Sequence, residues 1–389
     1  MNEGTGATLG SNYGICFRSQ DDRPERDTSA YKFWLQSAAR ELLPGERVKI
    51  CYRHRLPLRH TVDVMKSTAT RRAYYSGLMK CNAQWQCPVC ASKLASKRAE
   101  AIRDAIERNR SKLLPVLATY TMRHSAHDTL DTTLTNLMEA YRKFKGTRAY
   151  TTIAAEFEIK ASARSLEITH GNNGWHPHLH EVIFCDISIL EAETDVSFLA
   201  SALQRHLTPE WLSALGRVGA SATIQAGCTV TTDYGNIAEY VAKMDKLLLP
   251  RQKKGKWGVA EELTKSNVKS VGAGGDTPFG ILEKYAETGD WSYAALFIEF
   301  ARATKGRSVL QWSRGGKEIV GYKEVEREET ETDILLAQLS PEQWKVVRHE
   351  NRIGELLDVA SSQDVETFYA WLDKLPGMAD TAPFYGIDT

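Results

Sequence analysis

No stretch of about eighteen consecutive apolar residues occurs in the 389-residue sequence, so no segment reads as a membrane-spanning helix. Charge of one sign is also missing: 50 Lys and Arg face 49 Asp and Glu, for a formal net charge of +1. Bulk charge therefore does not announce a polyanionic partner, although local segregation of charge still can. Cysteine is scarce and odd in number, seven in all, with three crowded into residues 81 to 90. That argues against a disulfide scaffold and for reduced thiols around one metal ion. The opening Met1-Asn2-Glu3-Gly4 leads into polar sequence without the apolar core of a secretory signal, so a soluble cytoplasmic protein is expected. Neither a repeat of solenoid period nor the composition of a collagenous, coiled-coil or wholly disordered chain is present. What remains, at 42% apolar and 25% charged residues, is long enough for a full core and a second module.

Four stretches are expected along the chain. Residues 1–40, rich in Gly, Ser, Asp and Arg, read as a flexible N-terminal arm. Residues 41–110 form a Cys-rich, zinc-binding and basic helical segment. Its helix, Ser92 to Arg110, has an apolar stripe of Leu94, Ala95, Ile102, Ala105 and Ile106, with Lys97 and Arg98 on the basic remainder. That basic face suits a phosphate backbone, and a solvated face on a core-packed helix is the ordinary alternative. Residues 111–250 form the core. Strands are expected over 114–121, 149–157, 164–169, 178–185 and 222–231, and helices over 130–144, 189–206 and 237–248, with a hairpin turn at Asn172-Asn173-Gly174. Residues 251–389 begin with a basic loop, where Arg251, Lys253, Lys254, Lys256 and Trp257 are candidate backbone and stacking contacts for DNA. They continue as a mainly helical region, with helices near 279–288, 291–304, 341–357 and 363–374. The order is that of an α+β fold with an antiparallel-rich sheet and helices packed on it.

Two clusters carry chemistry. Cys81, Cys87 and Cys90 are spaced Cys-x5-Cys-x2-Cys, and the Cys-Pro-x-Cys turn brings two thiolates to one tetrahedral ion, for which zinc is the natural occupant. Spacing does not fix the fourth ligand; Cys51, His54 and His60 all lie upstream, and Cys51 is selected. In the second cluster, Gly174-Trp-His176-Pro-His178-Leu-His180, residues two apart on a strand share a face, so His178 and His180 project together. Glu167 on the neighbouring strand can reach across the hairpin, and two His with one Glu leave coordination positions free for a phosphate oxygen. His176 has the same parity but follows the turn and precedes Pro177. Further on, Tyr240 and Lys243 stand one helical turn apart. There a tyrosine can attack phosphorus while the ammonium lowers its pKa or stabilises the transfer.

With these residues the chain resembles the replication initiators of rolling-circle plasmids, within the nicking enzymes that carry a His-hydrophobic-His (HUH) motif. Leu117-Ala-Thr119-Tyr-Thr121 is similar to the family's first motif strand, Leu166-Glu167-Ile-Thr169 with His176-Pro-His178-Leu-His180 to its second, and Tyr240-Val-Ala-Lys243 to its third. Cys87-Pro-Val-Cys90, Thr277-Pro-Phe279 and Trp312-Ser-Arg-Gly-Gly316 add to the likeness. The resemblance implies a central antiparallel sheet of the HUH type, with His178, His180 and Glu167 holding Mg²⁺ or Mn²⁺ and Tyr240 as nucleophile. The partners it implies are plasmid origin DNA, duplex and single-stranded, with a host helicase and replication machinery; a homodimer is left open. One departure is Asn236, where some relatives place a glutamate four residues before the tyrosine. Termination then falls to another carboxylate, a second tyrosine or a second subunit. A relaxase or single-strand transposase shares the chemistry, and a zinc-containing DNA-binding protein without catalysis is the other class.

Overall fold

The computed structural model describes residues 23–26, 28–189, 196–232, 275–323, 333–376 and 378. The expected helix at 237–248, with Asn236, Tyr240 and Lys243, and the basic loop Arg251, Lys253, Lys254, Lys256 and Trp257 lie outside the described residues.

A five-stranded antiparallel sheet forms the centre. Numbered in chain order, its strands are β3 (Leu113–Tyr120), β4 (Ile159–Gly171), β5 (Gly174–Asp186), β6 (Cys228–Thr231) and β7 (Leu310–Trp312), arranged β6-β3-β5-β4-β7. The long β4–β5 hairpin turns at Asn172-Asn173, and its register places Glu167 opposite His178 and Ser165 opposite His180. Gly174 opens β5 at φ +80°, a conformation that disfavours side chains, and a Cβ there would meet the Ser125 carbonyl at 2.9 Å. Because β5 is central and buried for most of its length, its side chains are held by neighbours on both sides.

One face of the sheet packs on α3 (Leu130–Lys145) and α5 (Val196–Gly216), with Trp211, Phe144 and Leu137 among the buried side chains. The other face is covered, beyond His180, by α2 (Pro88–Asn109), whose Ile102 and Ala105 pack with Leu117, Val182 and Phe184. Thr129 caps α3 by accepting from Thr132 N–H, and Pro88 occupies the first turn of α2, where its missing N–H costs nothing.

A second sheet, β2-β1-β8, joins β1 (Val62–Lys66) and β2 (Ala73–Ser76) to β8 (Ile334–Leu339), so the C-terminal region and the Cys-rich segment share one antiparallel ladder. Around it lie α1 (Ser29–Leu42), α10 (Pro341–His349), α11 (Ile353–Ser362) and α12 (Val365–Leu372). Between the sheets, α7 (Pro278–Thr288) and α8 (Trp291–Ala303) pack on α1 and α3. Shorter helical turns are α6 (Ile224–Gly227) and α9 (Gly316–Ile319), while α4 (Arg148–Glu156) follows α3. The motif Thr277-Pro-Phe279 is a helix start, Thr277 capping α7 and Pro278 filling its first turn.

Several expectations are corrected. The arm expected over 1–40 contains helix α1, whose Tyr31, Leu35, Ala38 and Ala39 are fully buried. Its N-terminal amides donate to the Asp358 carboxylate at 2.7 Å, and it lies so close to α11 that a Cβ on Gly354 would stand 2.5 Å from Ala30 Cα. The polar residues that dominate 1–28 masked this amphipathic stretch. The strand expected over 149–157 is helix α4: Thr147 caps it, and Tyr150, Ile153 and Phe157 bury at helical spacing, which outweighs the β-branched Thr-Thr-Ile run. Only Cys228–Thr231 of the strand expected over 222–231 is extended, because Thr223 caps the helical turn before it. The helix expected over 189–206 begins at Val196 among the described residues and runs to Gly216, with Pro209 inside it. The helix expected over 341–357 breaks at Asn351, φ +55°, into α10 and α11.

Candidate metal centres and active site

The buried thiols of Cys51, Cys81, Cys87 and Cys90 converge, with sulfur separations of 3.5 Å (Cys51 to Cys90), 3.6 Å (Cys81 to Cys90) and 3.7 Å (Cys51 to Cys87). A tetrahedron with metal–sulfur bonds of about 2.3 Å has edges of about 3.8 Å, so the set is close to that of one bound ion and far from disulfide contact. Cys51 is the fourth member, while His54 and His60 are exposed and outside the group. The Cys81 amide points at Cys51 Sγ at 3.4 Å, and Gln36 of α1 donates its side-chain N–H to Cys87 Sγ at 3.2 Å. Hydrogen bonds from Cys51, Cys81 and Cys87 pull the Cys90 thiol far below its usual range, so the cluster favours a thiolate.

The second centre lies on the sheet. His178 Nε2 and His180 Nε2 stand 3.0 and 2.7 Å from a single Glu167 oxygen, Oε2. Burial raises the Glu167 carboxyl, but the hydrogen bonds from His178 and His180 outweigh it and hold the group well below the ordinary carboxylate range. These are the only His/Cys/Asp/Glu groups besides the thiols that converge on one point among the described residues. Two imidazoles and a carboxylate, with the remaining directions open, make a donor set for a hard or borderline divalent cation.

Sequence reasoning missed the neighbours that hold this triad. Thr119 of β3 is in register with His180, and its Oγ1 lies 3.0 Å from His180 Nδ1. For Nε2 to serve as a ligand the proton must sit on Nδ1, where it donates to Thr119, so this hydroxyl selects the tautomer. Ser165, opposite His180 on the other side, is buried with an Oγ that has no hydrogen-bond partner among the described residues. An orphan hydroxyl beside the ligands fits a hydrated cation. Replacing Thr119 by Val is expected to weaken Mn²⁺ binding about 10–100-fold with little change in melting temperature, as measured by calorimetric titration. An unchanged affinity would remove Thr119 from the site.

The other sequence candidates divide. His176 is in the strand opposite Thr169, but its ring stacks on His124 at 4.7 Å and stands apart from the Glu167 oxygen set. Burial, then the neighbouring His178 and His124, push its pKa down to about 4. Arg98 donates to Gln84 Oε1 at 2.6 Å, and Lys97 is half-buried on α2. None of the described helices is long and apolar enough to cross a membrane.

A family model described as a replication protein matches residues 76–199, which span Cys81, the α2 helix, Thr119, Glu167, His178 and His180. Over those residues the chain is similar to the replication-protein family. Protein rep of Streptomyces lividans is 26% identical over 340 residues, covering 70% of this chain and 71% of that relative. A neomycin resistance protein of Streptomyces cyanogenus is 28% identical over 153 residues, covering 31% of this chain and 33% of that protein. No solved structure matches. The histidine strand is the central one of the five-stranded sheet.

Proposed function

We propose that this protein nicks one DNA strand at an origin, forming a 5′-phosphotyrosine link at Tyr240 and freeing a 3′-OH primer. The observation that carries the reading is the convergence of His178, His180 and Glu167 within 3.0 Å on the central strands of the five-stranded sheet. The residues fit Mg²⁺ or Mn²⁺, which when bound supplies positive charge to the scissile phosphate. Glu167 stays ionised at neutral pH and holds both imidazoles on one point, so the donor set is formed before substrate arrives. The Tyr240 oxygen attacks phosphorus and gives up its proton. The bond from phosphorus to the 3′ oxygen breaks, and that oxygen takes a proton to become the primer end. The ester formed keeps the bond energy for later rejoining. Lys243, one turn from Tyr240 in a helical reading, supplies charge for the transfer. Thr231 pairs beside Leu117, and Tyr240 follows nine residues later, at most about 30 Å of extended chain. That length allows the tyrosine to reach the triad. The four-thiol cluster is assigned Zn²⁺ on its all-sulfur donor set.

Wild-type and Tyr240→Phe proteins incubated with labelled single-stranded and supercoiled origin DNA, with and without Mn²⁺, test this on a denaturing gel. The expected result is a metal-dependent covalent adduct with the wild type and none with Tyr240→Phe, while DNA binding is retained. Binding to a functional origin with no adduct from either protein would instead favour a zinc-containing DNA-binding protein. A relaxase or transposase would form the same adduct on a different substrate, so replication from the origin in cells discriminates the process.

A further inference from the structure

Charge is segregated although the net charge is nearly zero. Between positions 47 and 80 the chain carries nine Lys and Arg and a single acidic residue, Asp63. This stretch contains the loop that follows Cys51 and the β1–β2 hairpin. The base of the loop is fixed: Tyr52 N–H donates to Met79 O and Met79 N–H to His54 O, both at 2.8 Å, and Leu56 N–H donates to Gly77 O at 2.8 Å. A rigid base holds its cations in place, which lowers the entropy lost on binding.

One of those cations, Arg53, is paired unusually with Arg348 of α10. Arg53 Nη1 donates to the Arg348 carbonyl at 3.0 Å, and Arg348 Nη1 donates back to the Arg53 carbonyl at 2.9 Å. Both Nε atoms are buried with no hydrogen-bond partner, and neither guanidinium has a carboxylate within 4.0 Å among the described residues. They wall an open cavity of about 650 Å³ together with Arg55, Arg59 and Lys345; Glu342 is the one acid on its wall. Neighbouring guanidiniums without a counter-charge repel one another, and an anion seated in the cavity they wall offsets that repulsion. The cations run past the cavity to Arg71 and Arg72, both exposed at the hairpin end, so they match a row of phosphates better than one small anion. Between Arg55 and Arg59 the loop tip is apolar, and Leu58, after Pro57, is 96% exposed at φ +68°. An apolar tip flanked by arginines suits a nucleic-acid groove bordered by phosphate on each side.

We propose that the loop Arg53–His60, with the Lys345 face of α10 and the tip of the β1–β2 hairpin, is a docking surface for the phosphate backbone of duplex DNA. The surface rests on the origin-nicking reading only in taking that duplex to be the origin; it is separate from the triad and needs no catalytic step. It places the duplex on the second sheet, leaving the HUH face of the first sheet for the single strand to be cut.

The test uses the full chain with Arg59→Ala, Arg72→Ala and Lys345→Ala combined, since these side chains are exposed and their loss leaves the core intact. Binding of labelled origin duplex is followed by fluorescence anisotropy over a salt series. Covalent adduct formation is followed in parallel on a short single-stranded nick-site oligonucleotide with Mn²⁺. Three lost phosphate contacts are expected to make the slope of log K against log salt shallower by about 2.7 and to weaken binding at least tenfold at low salt. The single-strand adduct is expected to form at the wild-type rate. Duplex affinity and slope equal to wild type would overturn the proposal, as would loss of binding to anionic vesicles without loss of duplex binding. If the wild type itself forms no adduct, the nicking reading fails while the duplex arm still decides the surface.

Discussion

Replacing Cys51 by Ser, or removing the metal with a strong chelator, is expected to lower the melting temperature by more than about 10 °C and to melt the second sheet with its helices before the first. The four thiols are fully or nearly fully buried, so without a bound cation their thiolates would repel in a poorly solvated space. Structural tetrahedral sites of this kind contribute about 10–16 kcal/mol in small zinc peptides, and part of that is expected here because α1 and β8 also bury apolar side chains in the main core. Cys51 is the most informative position. It lies 30 residues before Cys81 in sequence, stands two residues before the Arg53–His60 loop, and shares its cluster with the Cys87 thiol that Gln36 of α1 contacts. Co²⁺ substitution gives an independent readout: a tetrahedral all-thiolate spectrum with one ion per chain in the wild type, weakened and displaced in Cys51→Ser. A full complement of metal and an unshifted melt in that variant would remove Cys51 from the ligand set.

A second large effect is expected on the opposite face of the histidine strand. Glu181, one residue beyond His180 and completely buried, accepts from Lys145 Nζ at 2.8 Å and from the Tyr120 hydroxyl at 3.1 Å. Lys145 also donates to the Tyr150 hydroxyl and lies 3.9 Å above its ring. Burial raises the Glu181 carboxyl, but Lys145 outweighs it and the group lies below its ordinary value. Burial lowers the Lys145 ammonium, but Glu181 and Tyr150 outweigh it and the group lies above its ordinary value. The carboxylate therefore adds stability above about pH 4.3 that is lost as pH falls through its depressed value. The ammonium adds stability below about pH 10.4 that is lost as pH rises through its elevated value. Glu181→Gln strands a buried charge and is expected to cost about 3–5 kcal/mol at pH 7, measured by urea denaturation. The gap from wild type should shrink steadily below about pH 4, where the wild-type carboxyl takes up its proton. Adding Lys145→Met to Glu181→Gln is expected to recover much of the loss, because no charge is then left buried while the glutamine can still accept from Tyr120. If the double variant is as unstable as Glu181→Gln, packing rather than charge holds this pair.

Local chemistry was readable along the chain wherever the signal was short in sequence. The alternation of β5 put His178 and His180 on one face, and the hairpin turn at Asn172-Asn173 made Glu167 the cross-strand neighbour of His178. Both are consequences of two-residue strand periodicity and a tight turn, so they need no knowledge of the rest of the fold. The Cys-x5-Cys-x2-Cys spacing marked three thiols for the same reason. Helix α4 is the exception: its β-branched run favours a strand locally, while burial of Tyr150 and Ile153 against the core favours a helix.

What sequence order did not contain was contact between distant segments. Cys51, rather than His54 or His60, joins the thiols because the chain folds back over 30 residues, and no periodicity encodes that return. The pairing of β1 with β8 brings residues 62–66 against 334–339, and the facing of Arg53 and Arg348 follows from it. Thr119 meets His180 because β3 is placed beside β5 by the shared helices, not by the hairpin. The sequence by itself determined which residue types stand two, three or four apart, and so the histidine pair and the strand that carries it. Only the tertiary structure decided which remote side chains complete those sites, because that choice is made by burial of the whole core, summed over many weak contacts.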